Sequence, residues 1–553
     1  MIGHVSSPAV EVGGSPARTG AGLDRVDAVV AGLVALATFF LYLRTLAPGL
    51  LIDDSGEFQT MTRLLGHTHP TGYEVYTVVG RAFAAIPIGE FTSRVSAFSA
   101  FMGGVTVALL YFLARLLRAP KVIAVVPALA IAASPTFWSQ AIIAEVYTPA
   151  AALGTLVLVA VLLWYQRLRP RWLIVAGVAG GMSLGVHFTI GLYLPAVAVF
   201  LLLAARRHCG GVISVAAARA VWLPAMVGAT AGVATALAAF VAVDVSDPPS
   251  QYFDAVVAPS HSAWGLEPSR IDGPLDRLRF DWTARQFRSL MFRDPMNLMS
   301  ERFAEFRTTL PTEVALPLLG LAAIGALWLL RREGRVAALV LVALATHLLY
   351  AFSYDIGGLI YVFYVPAYLL IALLASVGMS AVARVVARIP VPGVTRMIAA
   401  AIVAVAALLV GVLPIARQNL SQALAGEVPP FEYEGYPYDD YVATTLHPAL
   451  TATVAELPED AIVFTDWELL YPYVYVAHVE MGRTDLMFHE TYAADDLDGL
   501  AASVVDYIRE QSATRPVLVS ERLSELSAAG FSYVPVRVGP TSLLKVVPRP
   551  MGE

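Results

Sequence analysis

Three carboxylates stand within five residues at Asp53, Asp54 and Glu57, and two imidazoles follow at His67 and His69, just ahead of Pro70, Gly72 and Tyr73. A carboxylate can take the proton of a hydroxyl as it attacks an electrophile, and an imidazole can share that proton or steady a leaving anion. The same residue types recur at Glu145 and Tyr147, at His187, and at Tyr354 and Asp355. Carboxylate oxygen and imidazole nitrogen are also ordinary ligands of divalent ions. The spacing here matches no tight ligand signature, so no metal ligands and no cofactor are assigned, and a divalent metal stays as the alternative. Asp53 and Asp54 are adjacent and on a regular helix or strand point in different directions, so both are not expected to serve one substrate atom. Asp54 and Glu57 stand at i and i+3 and could share a helix face, while Asp54 or Ser55 could equally be an N-cap. His187 closes an apolar run and needs a hydrogen-bond partner if buried, either a neighbouring helix or a substrate or lipid phosphate.

The elements that must position these groups are membrane helices. Of 553 residues 57% are hydrophobic and only 14% charged, with a mean hydropathy of +0.67, far outside the soluble globular range. Apolar runs at 26–43, 96–113, 122–133, up to 164, 172–188, 190–204, 222–243, 312–330, 336–352, 360–379 and 396–414 predict about eleven transmembrane helices. With a cytoplasmic N-terminus, every short inner turn carries two or more basic residues, such as Arg115, Arg118 and Lys121, or Arg331, Arg332 and Arg335. The candidate groups Asp53, Asp54, Glu57, His67, His69, Glu145, Tyr147, His187, Tyr354 and Asp355 then all fall outside or at outer span ends, where they could converge on one outward-facing cavity. Ionisable groups beside a bilayer mark function more often than packing. Net charge is −6 without a basic patch, so nucleic acid is not an expected partner. The single cysteine, Cys209, allows no internal disulfide.

The expected organisation is a disordered cytoplasmic tail at 1–25, a transmembrane part at 26–417 with external loops at 46–95 and 244–310, and an outer α/β domain at 418–553. A helical piece at 73–86, carrying Glu74 and Arg81, reads as lying on or dipping into the interface. The 244–310 loop, with Arg270, Arg285 and Arg293 among aromatic residues, exceeds ordinary loop length and reads as folded and functional. Trp138 suits the headgroup region. In the C-terminal part, strands are predicted at 461–465, 516–520 and 542–547, and an amphipathic helix at 498–511.

The order Asp54-Ser55-Gly56-Glu57-Phe58, His69-Pro70-Thr71-Gly72-Tyr73 with Tyr76 and Gly80-Arg81, then Phe137-Trp138-Ser139-Gln140, Glu145-Val146-Tyr147 and Leu184-Gly185-Val186-His187 resembles a bacterial membrane family related to the eukaryotic transmembrane protein O-mannosyltransferases. The resemblance is strongest over 46–195 and weaker at Tyr354-Asp355-Ile356 and at 461–467, which ends in Asp466-Trp467. It implies a glycosyltransferase of the C-type (GT-C) fold in the bacterial plasma membrane, taking a sugar, with mannose favoured, from a polyprenyl-phosphate donor at the outer face. The implied acceptor is a hydroxyl, of Ser or Thr in an exported protein or of an envelope glycan or lipid. The resemblance assigns the catalytic base to Asp54, with Asp53 as the competing choice. Glu57 and His69 would shape or bind acceptor and donor, and Arg81 or a 244–310 arginine would meet the donor phosphate; Tyr73 belongs to the same motif. Glu74 departs from the family pattern, which commonly has proline after this tyrosine. Two other functions use similar residues: a glycolipid transporter or flippase, and a non-catalytic envelope scaffold.

Overall fold

Helices occupy each of the apolar runs, because in hydrocarbon only a helix satisfies its own backbone N–H and C=O groups. The computed structural model describes residues 22–267, 271–389, 395–425, 445–493 and 499–549. The expected tail at 1–25 lies almost wholly outside the described residues, as do Arg270 and the stretch 426–444 beyond the last apolar run. Among the described residues, eight helices are long and apolar enough to cross a membrane. Two further candidates are bent pairs, Lys121–Ala133 with Pro135–Ala141 at 67° and Met296–Glu313 with Leu316–Arg332 at 107°, and Arg171–Gly185 is a shorter apolar helix. These account for the eleven runs.

The first helices in chain order are α1 (Arg25–Arg44), α2 (Asp53–Leu64), α3 (Glu74–Ala84), α4 (Phe91–Leu116), α5 (Lys121–Ala133), α6 (Pro135–Ala141) and α7 (Tyr147–Arg167). α1 and α4 are tied by fully buried Asp27, which accepts from Arg115 Nε at 2.7 Å and Tyr111 Oη at 2.8 Å. The short helices α2 and α3 fill the connection between them. Gln59 pins that connection: its Oε1 accepts from Leu51 N at 2.9 Å and its Nε2 donates to Gly49 O at 3.1 Å.

Two local expectations change. Neither Asp54 nor Ser55 caps α2: Ile52 is the N-cap, so Asp53 and Asp54 sit inside the first turn, where the N-terminal dipole favours carboxylates. Trp138 does not reach a headgroup layer, because its indole is buried and donates to Thr45 Oγ1 at 2.9 Å. The 244–310 loop contains the helix Pro274–Trp282, a 3-10 turn Arg288–Leu290 and the start of Pro295–Glu313. Backbone bonds from Phe292 N to Ser353 O (2.8 Å) and from Asp355 N to Leu290 O (3.0 Å) stitch it to the turn after Gly334–Phe352.

Near the C-terminus five strands form one mixed sheet in the order β2-β1-β3-β5-β4: β1 (Ile462–Thr465), β2 (Met487–Glu490), β3 (Val517–Val519), β4 (Phe531–Val538) and β5 (Thr541–Pro548). β1 is parallel to β2 and β3, while β5 runs antiparallel to β3 and β4. β1, β3 and β5 match the expected strands. β4 was not expected because Pro535 interrupts it, which a sheet tolerates at its edge. β2 ends in His489-Glu490 and lacks alternation. The helix expected at 498–511 spans Ala502–Gln511, and residue 498 lies outside the described residues.

The sheet segment reaches back onto the membrane part through the helix Trp467–Val474, which packs on α2. Thr60 Oγ1 donates to Tyr471 O at 3.1 Å. Gly56 permits this approach: a Cβ there would stand 2.5 Å from Leu51 O and 3.0 Å from Pro472 Cδ. Trp467 is thereby set beside the start of α2.

Candidate active site

One cavity of roughly 830 Å³ gathers groups from six separate stretches of the chain. Asp53, Asp54, His69, Tyr73, Tyr147, His187, Tyr354 and Asp355 all line it. Glu145 lines a smaller adjoining pocket that shares Asp53, Asp54 and Tyr147. The two aspartates, expected to point in different directions, both line these cavities. Asp53 has φ of 55°, so the chain there follows neither the regular helix nor the strand geometry on which that expectation rests.

Asp54 and Glu57 lie on one face of α2 and flank the same imidazole. His69 Nδ1 is 2.6 Å from Glu57 Oε2, and His69 N donates to Glu57 Oε1 at 2.8 Å. The other ring nitrogen, Nε2, lies 4.0 Å from Asp54 Oδ2. Exposure separates the two acids: the Asp54 side chain is 32% exposed and that of Glu57 0%. Only Asp54 can meet a substrate, while Glu57 stands behind His69 and orients it. The second Asp54 oxygen, Oδ1, accepts from Trp467 Nε1 at 2.8 Å. One oxygen is thus held by the indole, while the other faces the imidazole at 4.0 Å with one side open to the cavity.

Burial alone would lower the pKa of His69, but the carboxylates of Glu57, Asp54 and Glu145 outweigh it and hold the imidazolium up to about 9. Burial, reinforced by Asp54, pushes Glu145 well above the usual carboxylate range. The raised His69 value has a stability consequence. Relative to an unfolded histidine near ~6.5, the network's contribution is complete below about that pH and is lost as pH rises through about 9. The thermal midpoint of the wild type is expected to fall across that window, and Glu57→Gln to move the fall to lower pH; a series of melts from neutral to alkaline pH checks both.

His187 finds its partner locally: Nδ1 accepts from Thr189 N at 3.3 Å and lies 2.6 Å from Thr189 Oγ1. A backbone N–H can only donate, so the neutral ring carries its proton on Nε2. Arg288 and Arg293 also line the cavity, as do Trp282, Trp467 and Glu490. Arg288 and Arg293 are arginines of the 244–310 loop, one of which the resemblance sets at the donor phosphate; Trp282 and Glu490 are not among the expected site residues, and Trp467 enters only through the weakly matching Asp466-Trp467 pair. Two expected residues lie elsewhere. Arg81 turns its guanidinium onto the carbonyls of Thr62 and Arg63 at the C-terminal end of α2, satisfying orphan carbonyls rather than a phosphate. His67 is buried beside Asp244, away from the cavity lining.

Removing the indole donor is expected to matter. Trp467→Phe keeps the ring and loses the hydrogen bond to Asp54, worth about 1.5–3 kcal/mol when one partner is charged, so turnover should drop roughly 10–100-fold. Initial rates at saturating substrate, with a melt to confirm folding, measure it.

A multi-pass helical part, a short acid-bearing helix after the first span and a small sheet segment closing over it define the class: a membrane protein of the GT-C glycosyltransferase fold. Superposition on ArnT from Cupriavidus metallidurans bound to undecaprenyl phosphate gives a TM-score of 0.52 at 16% identity, covering 94% of this chain and 97% of that one. The archaeal oligosaccharyltransferase AglB from Archaeoglobus fulgidus, in complex with an inhibitory peptide and a dolichol-phosphate, gives 0.55 at 13% identity, covering 96% of this chain and 75% of that one. Within the chain, residues 54–209 match the family model described as the protein O-mannosyl-transferase TMEM260 N-terminal domain. That match begins at Asp54 and contains the motifs through His187.

Proposed function

We propose that this protein transfers a sugar from a polyprenyl-phosphate donor to a hydroxyl acceptor at the outer face of a bacterial plasma membrane. The observation that carries the reading is Asp54: partly exposed in the large cavity, hydrogen-bonded by Trp467 and beside the His69 imidazole, on the helix where the family match begins. The undecaprenyl phosphate and dolichol-phosphate of the two fold relatives support a lipid-linked donor. The acceptor oxygen attacks the anomeric carbon, its proton passes to Asp54, and the bond from that carbon to the phosphate oxygen breaks with the electron pair leaving on polyprenyl phosphate. Asp53 stands as the alternative base. A phosphate leaving group needs electrostatic support more than a proton, and Arg288, Arg293 and the His69 imidazolium supply positive charge in the same cavity. A single displacement inverts the anomeric centre and requires no covalent sugar–enzyme intermediate.

Mannose as the sugar and Ser or Thr of an exported protein as the acceptor are the favoured finer assignment, on the strength of the family match. In this reading the N-terminus is cytoplasmic, and the basic residues of the short turns support that orientation. The transmembrane part is assigned to 26–417 and the outer domain to 418–553, with Trp467 of that domain lining the cavity. The test uses the full chain in lipid nanodiscs with labelled polyprenyl-phosphate mannose and a Ser/Thr-containing peptide. Labelled peptide of inverted anomeric configuration is the expected product. Movement of intact donor across a proteoliposome bilayer without transfer to any hydroxyl acceptor would replace the reading with that of a flippase.

A further inference from the structure

A second polar cluster, unused by the proposed reaction, lies behind the wall of the cavity. His67 precedes α3, Glu74 opens α3, and Asp281 is in the helix Pro274–Trp282. Three separate segments therefore meet there, with side chains 1%, 3% and 0% exposed. His67 Nδ1 is 3.9 Å from Glu74 Oε1 and 4.0 Å from Asp281 Oδ2, and one ligand atom from each residue lies within 4.8 Å of the others. Such separations are too long for hydrogen bonds. His67 Nδ1 and all four carboxylate oxygens accordingly have no hydrogen-bond partner.

Buried carboxylates that neither pair nor accept hydrogen bonds are strongly disfavoured. The spacing is near what a shared cation needs: two donors each about 2.0–2.2 Å from one ion stand about 3.4–4.4 Å apart, so the three side chains close by about 0.5–1 Å to hold it. The imidazole is also turned the right way. His67 Nε2 lies 3.2 Å from Asp244 Oδ1, which Arg277 Nε also contacts at 2.8 Å. The carboxylate accepts a hydrogen bond from Nε2–H, leaving the Nδ1 lone pair on the side of Glu74 and Asp281, as outer carboxylates do for metal-binding histidines.

We propose that His67 Nδ1, Glu74 and Asp281 bind a divalent first-row metal ion, zinc or manganese, with water completing its shell. Imidazole with two carboxylates suits either ion. The site is a positioning device. None of its three ligands lines the large cavity, but Asp281 is followed directly by Trp282, Thr283 and Ala284, which do. The ion thus clamps the 274–282 helix to α3 and sets that wall.

The full-length protein in detergent, stripped with chelator, re-equilibrated with Zn²⁺ or Mn²⁺ and desalted, is expected to retain about one equivalent of metal and to melt at a higher temperature than the stripped form. Glu74→Gln and Asp281→Asn should each cut retention roughly tenfold or more, while Asp54→Asn keeps it. Co²⁺ loading of the wild type needs no variant: a visible ligand-field band displaced by Zn²⁺ is expected. No stoichiometric retention by the wild type, retention unchanged in Glu74→Gln and Asp281→Asn, or loss of retention in Asp54→Asn would each overturn the site. Metal content and melting are read without any sugar transfer, so this proposal and the proposed reaction can fail independently.

Discussion

Asp54→Asn is expected to lower sugar transfer by about 10²–10⁴-fold, the usual worth of a positioned general base. The amide is isosteric and its oxygen can still accept from Trp467 Nε1, so α2 and the 467–474 helix keep their contact. What disappears is the group that takes the acceptor proton. Turnover should fall far more than donor affinity, because the lost interaction forms only as attack proceeds. Initial rates over a donor concentration series, on protein with wild-type melting behaviour, decide the matter. Near-normal turnover would remove Asp54 from its role. If Asp53→Asn then gave the large loss, the base would be the neighbouring acid, which lines the same cavity.

The second large effect concerns stability. His69→Ala is expected to destabilise the fold by about 3–5 kcal/mol, because removing one member of a buried ion pair strands the other. Glu57 has no exposure, and both of its oxygens are engaged by His69, one through the ring and one through the backbone N–H. The double variant Glu57→Gln with His69→Ala should recover part of that loss, since a neutral amide costs less to bury than an unpaired carboxylate. Thermal midpoints of wild type, both single variants and the double variant form the cycle that measures the coupling. A double variant less stable than the sum of its singles would contradict the pairing.

Reading the chain alone reaches some of this. The hydrogen bond from Trp467 to Asp54 joins residues 413 positions apart, and nothing local to either marks the pair. The glycine that lets their helices meet, Gly56, sits in an ordinary-looking Asp-Ser-Gly-Glu run. Glu57 and Asp54 have the same chemistry in sequence, yet one is sealed behind an imidazole and the other opens to the cavity. Arg81 stands among the residues that carry the resemblance and still serves backbone carbonyls of α2.

What the sequence by itself determined is the membrane class, the approximate span positions, the strands β1, β3 and β5, and the pool of acids, phenols and imidazoles from which the site is drawn. These follow from sums over consecutive residues: transfer of an apolar run into hydrocarbon, or alternation along a strand, depends on neighbours in the chain. Which members of that pool face one cavity, which orient others, and which three meet as His67, Glu74 and Asp281 was decided only by tertiary structure. Convergence depends on how distant segments pack, and side-chain contacts across hundreds of residues leave no periodic trace in the order of amino acids.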